Sequence, residues 1–277
     1  MRVRGSAGEP LPTVWDSLAA HKAHFRRGQL SLVVAGAGTG KSAFTLNYAV
    51  RAKVPTMYFS ADSDSFTQLT RAISIATGIQ MDDSEEMVLA EDLSVDAINA
   101  LTGLPIRFRY DANPTIDSLE RSLESYEELY GDYPSLIVVD NITNVQNDMA
   151  DSADPFAGLE ALLDYLHTMA RDTQAHVSGL HHVVGEYADG NKPIPQSGVK
   201  GKISRVPELI LTLHKLPEDA YSVPRIGVSP VKVRGAKFDS SGNTFAELEF
   251  IGDRMLIRDP EDTFSGTEMR RMQEEGW

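Results

Sequence analysis

The stretch Ala35-Gly36-Ala37-Gly38-Thr39-Gly40-Lys41-Ser42 constrains this chain more than any other feature, because it has the layout of a loop that wraps a nucleotide phosphate. It fits that pattern except at its first position, where Ala35 replaces the usual glycine. Successive backbone N–H groups must curl round the anion, and side chains larger than hydrogen obstruct the tightest points, so Gly38 and Gly40 matter most. Lys41 brings a positive charge to the β- and γ-phosphates, and the Ser42 hydroxyl is placed to ligate Mg²⁺ at the start of the next helix. Residues 29–34 read as a short buried strand, and residues 42–52 carry Phe44, Leu46, Ala49 and Val50 as a helix. A glycine-rich turn that merely links two elements lacks this combination of strand, lysine, hydroxyl and helix.

Acidic residues follow at the places where such a loop needs them. A second strand over residues 56–60 ends in Asp62, and the carboxyl ends of parallel strands form the ligand crevice. Asp62 is thus a candidate for orienting or deprotonating an attacking water. It also suits a helix N-cap, a task that Ser63 or Asp64 can perform in its place. Residues 134–140 are a run of buried strand residues ending in Asp140, the form expected of a strand whose aspartate supports Mg²⁺ through water. Residues 115–130 place Ile116, Leu119, Leu123, Tyr126 and Leu129 at helical spacing and predict a packing helix.

The strand around residues 176–183 ends in His181 and His182. A metal site is one reading, but neighbours on a strand point to opposite faces and cannot readily chelate one ion. A single histidine sensing the γ-phosphate fits better. Residues 187–205 are polar and rich in glycine, proline and lysine, the signature of a long functional loop. Residues 231–238, a turn at 239–243 and alternating residues 245–251 predict a β-hairpin. Lys232 and Arg234, two apart, are expected on one face of its first strand, where they can reach a neighbouring subunit's γ-phosphate or simply guard a sheet edge.

Composition limits the classes open to the chain. Its 277 residues suffice for one large α/β domain. There is no cysteine, so neither disulfides nor thiolate metal sites arise. No apolar run approaches the roughly 20 residues that span a bilayer, and the expectation is a soluble, cytoplasmic protein with no membrane partner. The formal charge is −14, but it is unevenly spread. Between residues 81 and 100 lie Asp82, Asp83, Glu85, Glu86, Glu91, Asp92 and Asp96 with no Lys or Arg, which reads as an acidic surface insertion. Residues 192–237 hold Lys192, Lys200, Lys202, Arg205, Lys215, Arg225, Lys232, Arg234 and Lys237 against Glu208, Glu218 and Asp219. That basic region is either a solvated face or a nucleic-acid surface.

In this order the motifs resemble the RecA-like ATPase domain of DnaB-type hexameric replicative helicases and, less closely, the RecA and RadA recombination ATPases. The resemblance runs from about residue 12 to residue 251. Family P-loops often begin with alanine, as at Ala35. Residues 59–63 are similar to the family's strand ending in a catalytic glutamate, and residues 68–71 to the start of its next helix. Residues 106–116, followed by a helix and the strand to Asp140, resemble the family's approach to the Walker B strand. His182 falls where these helicases have a glutamine sensor and RadA-like proteins a histidine. Gly201, with Lys200 and Lys202, falls at the loop that lines the DNA channel, and Lys232 and Arg234 match a Lys-x-Arg element acting in trans.

The resemblance implies a RecA-like P-loop NTPase fold: a mostly parallel twisted sheet flanked by helices, with a C-terminal β-hairpin. The implied layout is a short arm over residues 1–12, an ATPase domain over 13–252 and an extension over 253–277 without core periodicity. It further implies ATP and Mg²⁺ as cofactors and a head-to-tail homo-oligomer on single-stranded DNA, a hexameric ring or a filament. Lys192, Lys200, Gly201, Lys202 and Arg205 then contact DNA. Asp62 is one methylene shorter than the family's glutamate, which lengthens its reach to water. A helicase core with no collar domain points to a phage or other mobile element, acting in the host cytoplasm with or without a primase or loader. Two other functions fit the same residues: a RecA-like recombination or annealing ATPase, and a regulatory ATPase acting on protein partners.

Overall fold

The nearly unbroken apolar run Leu30–Ala35 forms strand β1, and all six residues are buried. A strand covered on both faces needs a layer on each side, which is the signature of a parallel sheet between helices. The computed structural model describes residues 8–146, 155–199, 201–217 and 223–260. Its further strands are β2 (Thr56–Ser60), β3 (Ile106–Tyr110), β4 (Leu136–Asp140), β5 (His176–His182), β6 (Leu209–Lys215), β7 (Arg225–Val233), β8 (Ala246–Ile251) and β9 (Leu256–Arg258). They join in one sheet in the order β3-β2-β4-β5-β1-β6-β7-β8-β9. The first six are parallel, and the last three extend the sheet antiparallel. The RecA-like α/β architecture expected from the motifs is the one observed.

The helices are α1 (Asp16–Ala20), α2 (Lys41–Ala52), α3 (Ser65–Thr77), α4 (Met81–Leu89), α5 (Val95–Thr102), α6 (Ile116–Tyr130) and α7 (Pro155–Thr173). Alternation along β1 divides the core. Val33 and Ala35 pack with Phe44 and Leu46 of α2 and Ala72 of α3. Leu30, Leu32 and Val34 pack with Leu119 and Leu123 of α6 and Leu162 and Leu166 of α7. The acidic stretch 81–100 is helical: α4 and α5 rest on α3, with Ala97 buried and the Ser84 hydroxyl donating to the Thr70 carbonyl at 2.8 Å. All seven of its carboxylates are exposed.

Two expectations change. The hairpin is not the tight one read from residues 231–251: β8 pairs with Arg225–Val228, and Lys232 and Val233 pair instead with Ile210 and Leu209 of β6. The long turn joins β7 to β8 well beyond their paired segment. The sheet also runs on past residue 252. Ile257 in β9 is fully buried, its carbonyl accepts from Trp15 Nε1 at 2.9 Å, and its N–H donates to Asn47 Oδ1 at 2.9 Å. Trp15 in turn stacks on Phe44 with ring centroids 4.5 Å apart. A three-residue strand is too short to show periodicity, which is why residues 253–260 read as peripheral. Residues 261–277 lie outside the described residues.

Candidate nucleotide site

Strand register assembles the site. Ala35, the last residue of β1, lies opposite His182, and Ser60, the last of β2, lies opposite Asp140. Parallel strands end on one edge, so the phosphate-binding loop, Asp62, Asp140 and His182 open into one crevice. Gly38 and Gly40 have φ of 67° and 103°, the left-handed region that favours glycine, and Gly40 caps the start of α2. Gly36, Ala37 and Thr39 complete the loop, and Lys41 and Ser42 open the helix.

Lys41 is buried, and its Nζ lies 3.1 Å from His182 Nδ1 and 3.2 Å from Nε2. His182 Nε2 lies 3.5 Å from Asp62 Oδ2, and both these side chains are about one third exposed. An ammonium, an imidazole and a carboxylate thus line up from the loop to the mouth of the crevice. Burial pulls the Lys41 pKa down, and Asp140 and Asp62 oppose that pull. Asp64, two residues beyond Asp62, caps α3 by accepting from the Thr67 N–H at 2.8 Å. The helix-capping task therefore falls to Asp64 and leaves Asp62 facing His182.

Asp140 is fully buried. Its Oδ2 accepts from the Tyr58 hydroxyl at 3.0 Å, while Oδ1 is buried without a hydrogen bond of good geometry. Burial raises its pKa, and the nearby Ser42 hydroxyl, Tyr58 and Lys41 counter this. An orphaned carboxylate oxygen beside a serine hydroxyl at a helix N-terminus fits Mg²⁺, with Ser42 and Asp140 as the residues that would hold it. Among the described residues no group of three or more His, Asp or Glu gathers round a point. Burial, then His182 and Lys41, lowers the His181 pKa to about 4 and keeps it neutral.

The remaining predicted residues lie elsewhere. Val233 pairs with Leu209 at the start of β6, and Leu209 also pairs nearly at the start of β1, so Lys232 and Arg234 occupy the opposite edge of the sheet. At about 3.3 Å per residue along β1, roughly 15 Å or more separates them from the phosphate loop. Lys232 Nζ donates to the carbonyls of Ser204 and Arg205, both at 2.7 Å. Arg234 Nη1 donates to Glu208 Oε1 at 3.1 Å. Of the basic loop, Lys192 is exposed, 3.1 Å from Glu186 and 4.8 Å from the centre of the Tyr187 ring. Gly201 begins a 3-10 turn, Gly201–Ser204, that includes Lys202, and Arg205 is exposed just after it. Lys200 lies outside the described residues.

Residues 10–192 match the family described as DnaB-like helicase C terminal domain. The chain belongs to that family. It is 54% identical over 257 residues to the Gene 65 protein of Mycobacterium phage L5, covering 93% of this chain and 96% of that protein. It is equally identical over 228 residues to the Gene 65 protein of Mycobacterium phage D29, covering 82% and 98%. Its fold is similar to a DnaB-like replicative helicase whose structure addresses its interactions with primase (TM-score 0.75, 16% identity, 91% of this chain, 62% of that one). It is also similar to the ATPase domain of G40P (TM-score 0.75, 15% identity, 91% of both chains). The RadB recombinase is a more distant match (TM-score 0.59, 19% identity, 91% of this chain, all of that one).

Two features of the candidate site go beyond what its motifs announce. Tyr58 is one: it sits opposite Val138, two residues before Asp140 on the same face of the adjacent strand, and that alternation was the available signal. The other is the segment after β5. A Cβ on Gly36 would lie 2.3 Å from the Ala188 carbonyl oxygen, and one on Gly190 would lie 2.1 Å from Thr39 Oγ1, so residues 188–190 rest directly on the phosphate loop. Nothing in the local sequence announces that contact.

Proposed function

We propose that this protein is an ATP-dependent, DnaB-type helicase that hydrolyses ATP between head-to-tail subunits on single-stranded DNA. The observation that carries the reading is the division of its polar residues between two edges of the sheet. Lys41, Ser42, Asp62, Asp140 and His182 share one crevice, and Arg234 stands on the opposite edge, away from its own subunit's crevice, where a second copy's crevice would meet it.

In this reading the phosphate loop and Lys41 bind the β- and γ-phosphates, Asp62 orients the attacking water, and His182, already in contact with both Lys41 and Asp62, registers the γ-phosphate. Mg²⁺, when bound at Ser42 and Asp140, supplies positive charge to the phosphate oxygens. Arg234 of the neighbour stabilises charge on the transferred group. Lys192, Lys200, Gly201, Lys202 and Arg205 contact the DNA backbone, and residues 188–190 tie that loop to the nucleotide. The assembly is a ring, most simply a hexamer, in the cytoplasm of a bacterial host of phage, with a primase or loader as a further partner. No helix among the described residues is long and apolar enough to cross a membrane.

Unwinding of a forked DNA with two single-stranded tails tests the proposal. Unwinding that needs ATP and one particular tail is expected. ATPase activity stimulated by single strands, without unwinding on either tail, would favour a recombination or annealing ATPase instead.

A further inference from the structure

A buried polar chain runs behind the crevice. Residues two apart on a strand share a face, so Tyr58 and Ser60 of β2, with Val138 and Asp140 opposite them on β4, line one surface beneath α3. Onto it α3 lays Gln68, Ala72 and Ile75, at the spacing of one helix face. Ala72 and Ile75 supply apolar contact with Tyr58 and Val138. Gln68 is polar, and it is fully buried.

Gln68 Nε2 donates to the Ser60 hydroxyl at 3.0 Å, and that hydroxyl donates to the Ser63 carbonyl at 2.7 Å. Ser63 directly follows Asp62, so this bond closes the turn that carries Asp62. The same carboxamide lies beside the Tyr58 hydroxyl, which donates to Asp140 Oδ2 at 3.0 Å. The Ala61 N–H donates to the Asp140 carbonyl at 2.6 Å, so the two segments also meet through the backbone.

The direction of each bond follows from its far end. A carbonyl and a carboxylate can only accept, so Ser60 and Tyr58 have committed their hydrogens to Ser63 and Asp140, and each is left to accept. A carboxamide has two N–H donors, one for each hydroxyl. Gln68 Oε1, on the other side, is buried without a hydrogen bond of good geometry. An unpaired buried acceptor costs stability, which a leucine of similar volume would avoid. Packing alone therefore does not account for an amide here.

We propose that Gln68 is a positioning residue that sets the two carboxylates of the crevice relative to each other, Asp62 through Ser60 and Asp140 through Tyr58. The tie stands on this geometry; its effect on turnover rests on the reading of Asp62 and Asp140 as the groups that act on water and Mg²⁺.

Hydrogen exchange on the full chain, without nucleotide, tests the tie. Gln68→Met nearly keeps the volume and removes both donors, and Ser60→Ala cuts one arm while leaving Gln68 in place. Amides over 61–64 are expected to exchange several-fold faster in both variants, with those of α2 unchanged. Wild-type exchange over 61–64 in either variant would overturn the proposal. So would faster exchange along the whole of α3 in Gln68→Met, which marks a packing role. Steady-state ATPase kinetics add the functional reading. Gln68→Met is expected to lower kcat about tenfold with the KM for ATP within about twofold. Adding Ser60→Ala to it should slow turnover little further, because both changes cut the same chain. Effects that multiply, or a loss confined to KM, would refute the coupling. Absence of wild-type turnover would sink the reading of the crevice alone, with exchange still deciding the tie.

Discussion

The two edges of the sheet solve different problems. At the carboxyl edge of the parallel strands, Lys41, Asp62, Asp140 and His182 come from four separate segments that strand register brings to one place, where His182 touches both Lys41 and Asp62. At the amino edge, Lys232 and Arg234 are two residues apart and are held by partners of their own chain, Ser204, Arg205 and Glu208. The first edge gathers the residues proposed to bind the nucleotide. The second presents a restrained cation on the far edge of the sheet from the proposed phosphate site. A molecule divided in this way is suited to work in contact with another copy, and a heterologous interface between the two edges can close into a ring.

The contrast can be broken in several places. Lys41→Ala removes the charge on the phosphates and should reduce turnover to background in a steady-state ATPase assay; near-normal turnover would remove the phosphate-loop assignment. Arg234→Ala should lower turnover by roughly 10³-fold while leaving nucleotide affinity nearly intact. A large loss of affinity instead would mean that the arginine shapes the fold of its own subunit. Replacing Lys200 and Lys202 together by alanine should weaken single-strand binding by about tenfold and flatten its salt slope by about 1.4, the value for two phosphate contacts on a single strand. An unchanged slope would move the DNA site elsewhere.

Tyr58→Phe sharpens the comparison at the smallest scale. It deletes the hydrogen bond to Asp140 Oδ2 with little change in volume, so turnover should fall about two- to tenfold. The sign of its pH effect follows from the bond. Tyr58 donates to the ionised carboxylate and lowers its pKa, so its loss raises that pKa, and the acidic limb of the pH–rate profile should move to higher pH. An acidic limb that stays where it is would mean that ionisation of Asp140 does not set it.

The carboxyl edge was largely legible in the sequence because each of its groups follows a local rule. A glycine-rich turn, a strand ending in aspartate and a strand ending in histidine all place side chains by backbone geometry that neighbouring residues dictate. The amino edge was legible only as a pair of charges. What holds Lys232 and Arg234 comes from residues 204–208, 26 to 28 positions away, and no spacing rule connects them. The same limit hid β9, whose Ile257 is bonded by Trp15, Asn47 and Arg51 across more than 200 positions. Tyr58 falls between the two cases. Its alternation with Asp140 on adjacent strands was visible, but its hydrogen bond depends on β2 and β4 being neighbours.

Mixing tests the central claim most directly. Asp62→Ala lacks the group that orients water but keeps Arg234, and Arg234→Ala has the reverse defect, so only a hybrid interface can hold an intact set of both. ATPase activity measured over a series of mixing ratios should rise from near zero at either end to a maximum between them. A flat line at every ratio, with both variants folded and binding nucleotide, would contradict a site completed by the neighbouring subunit.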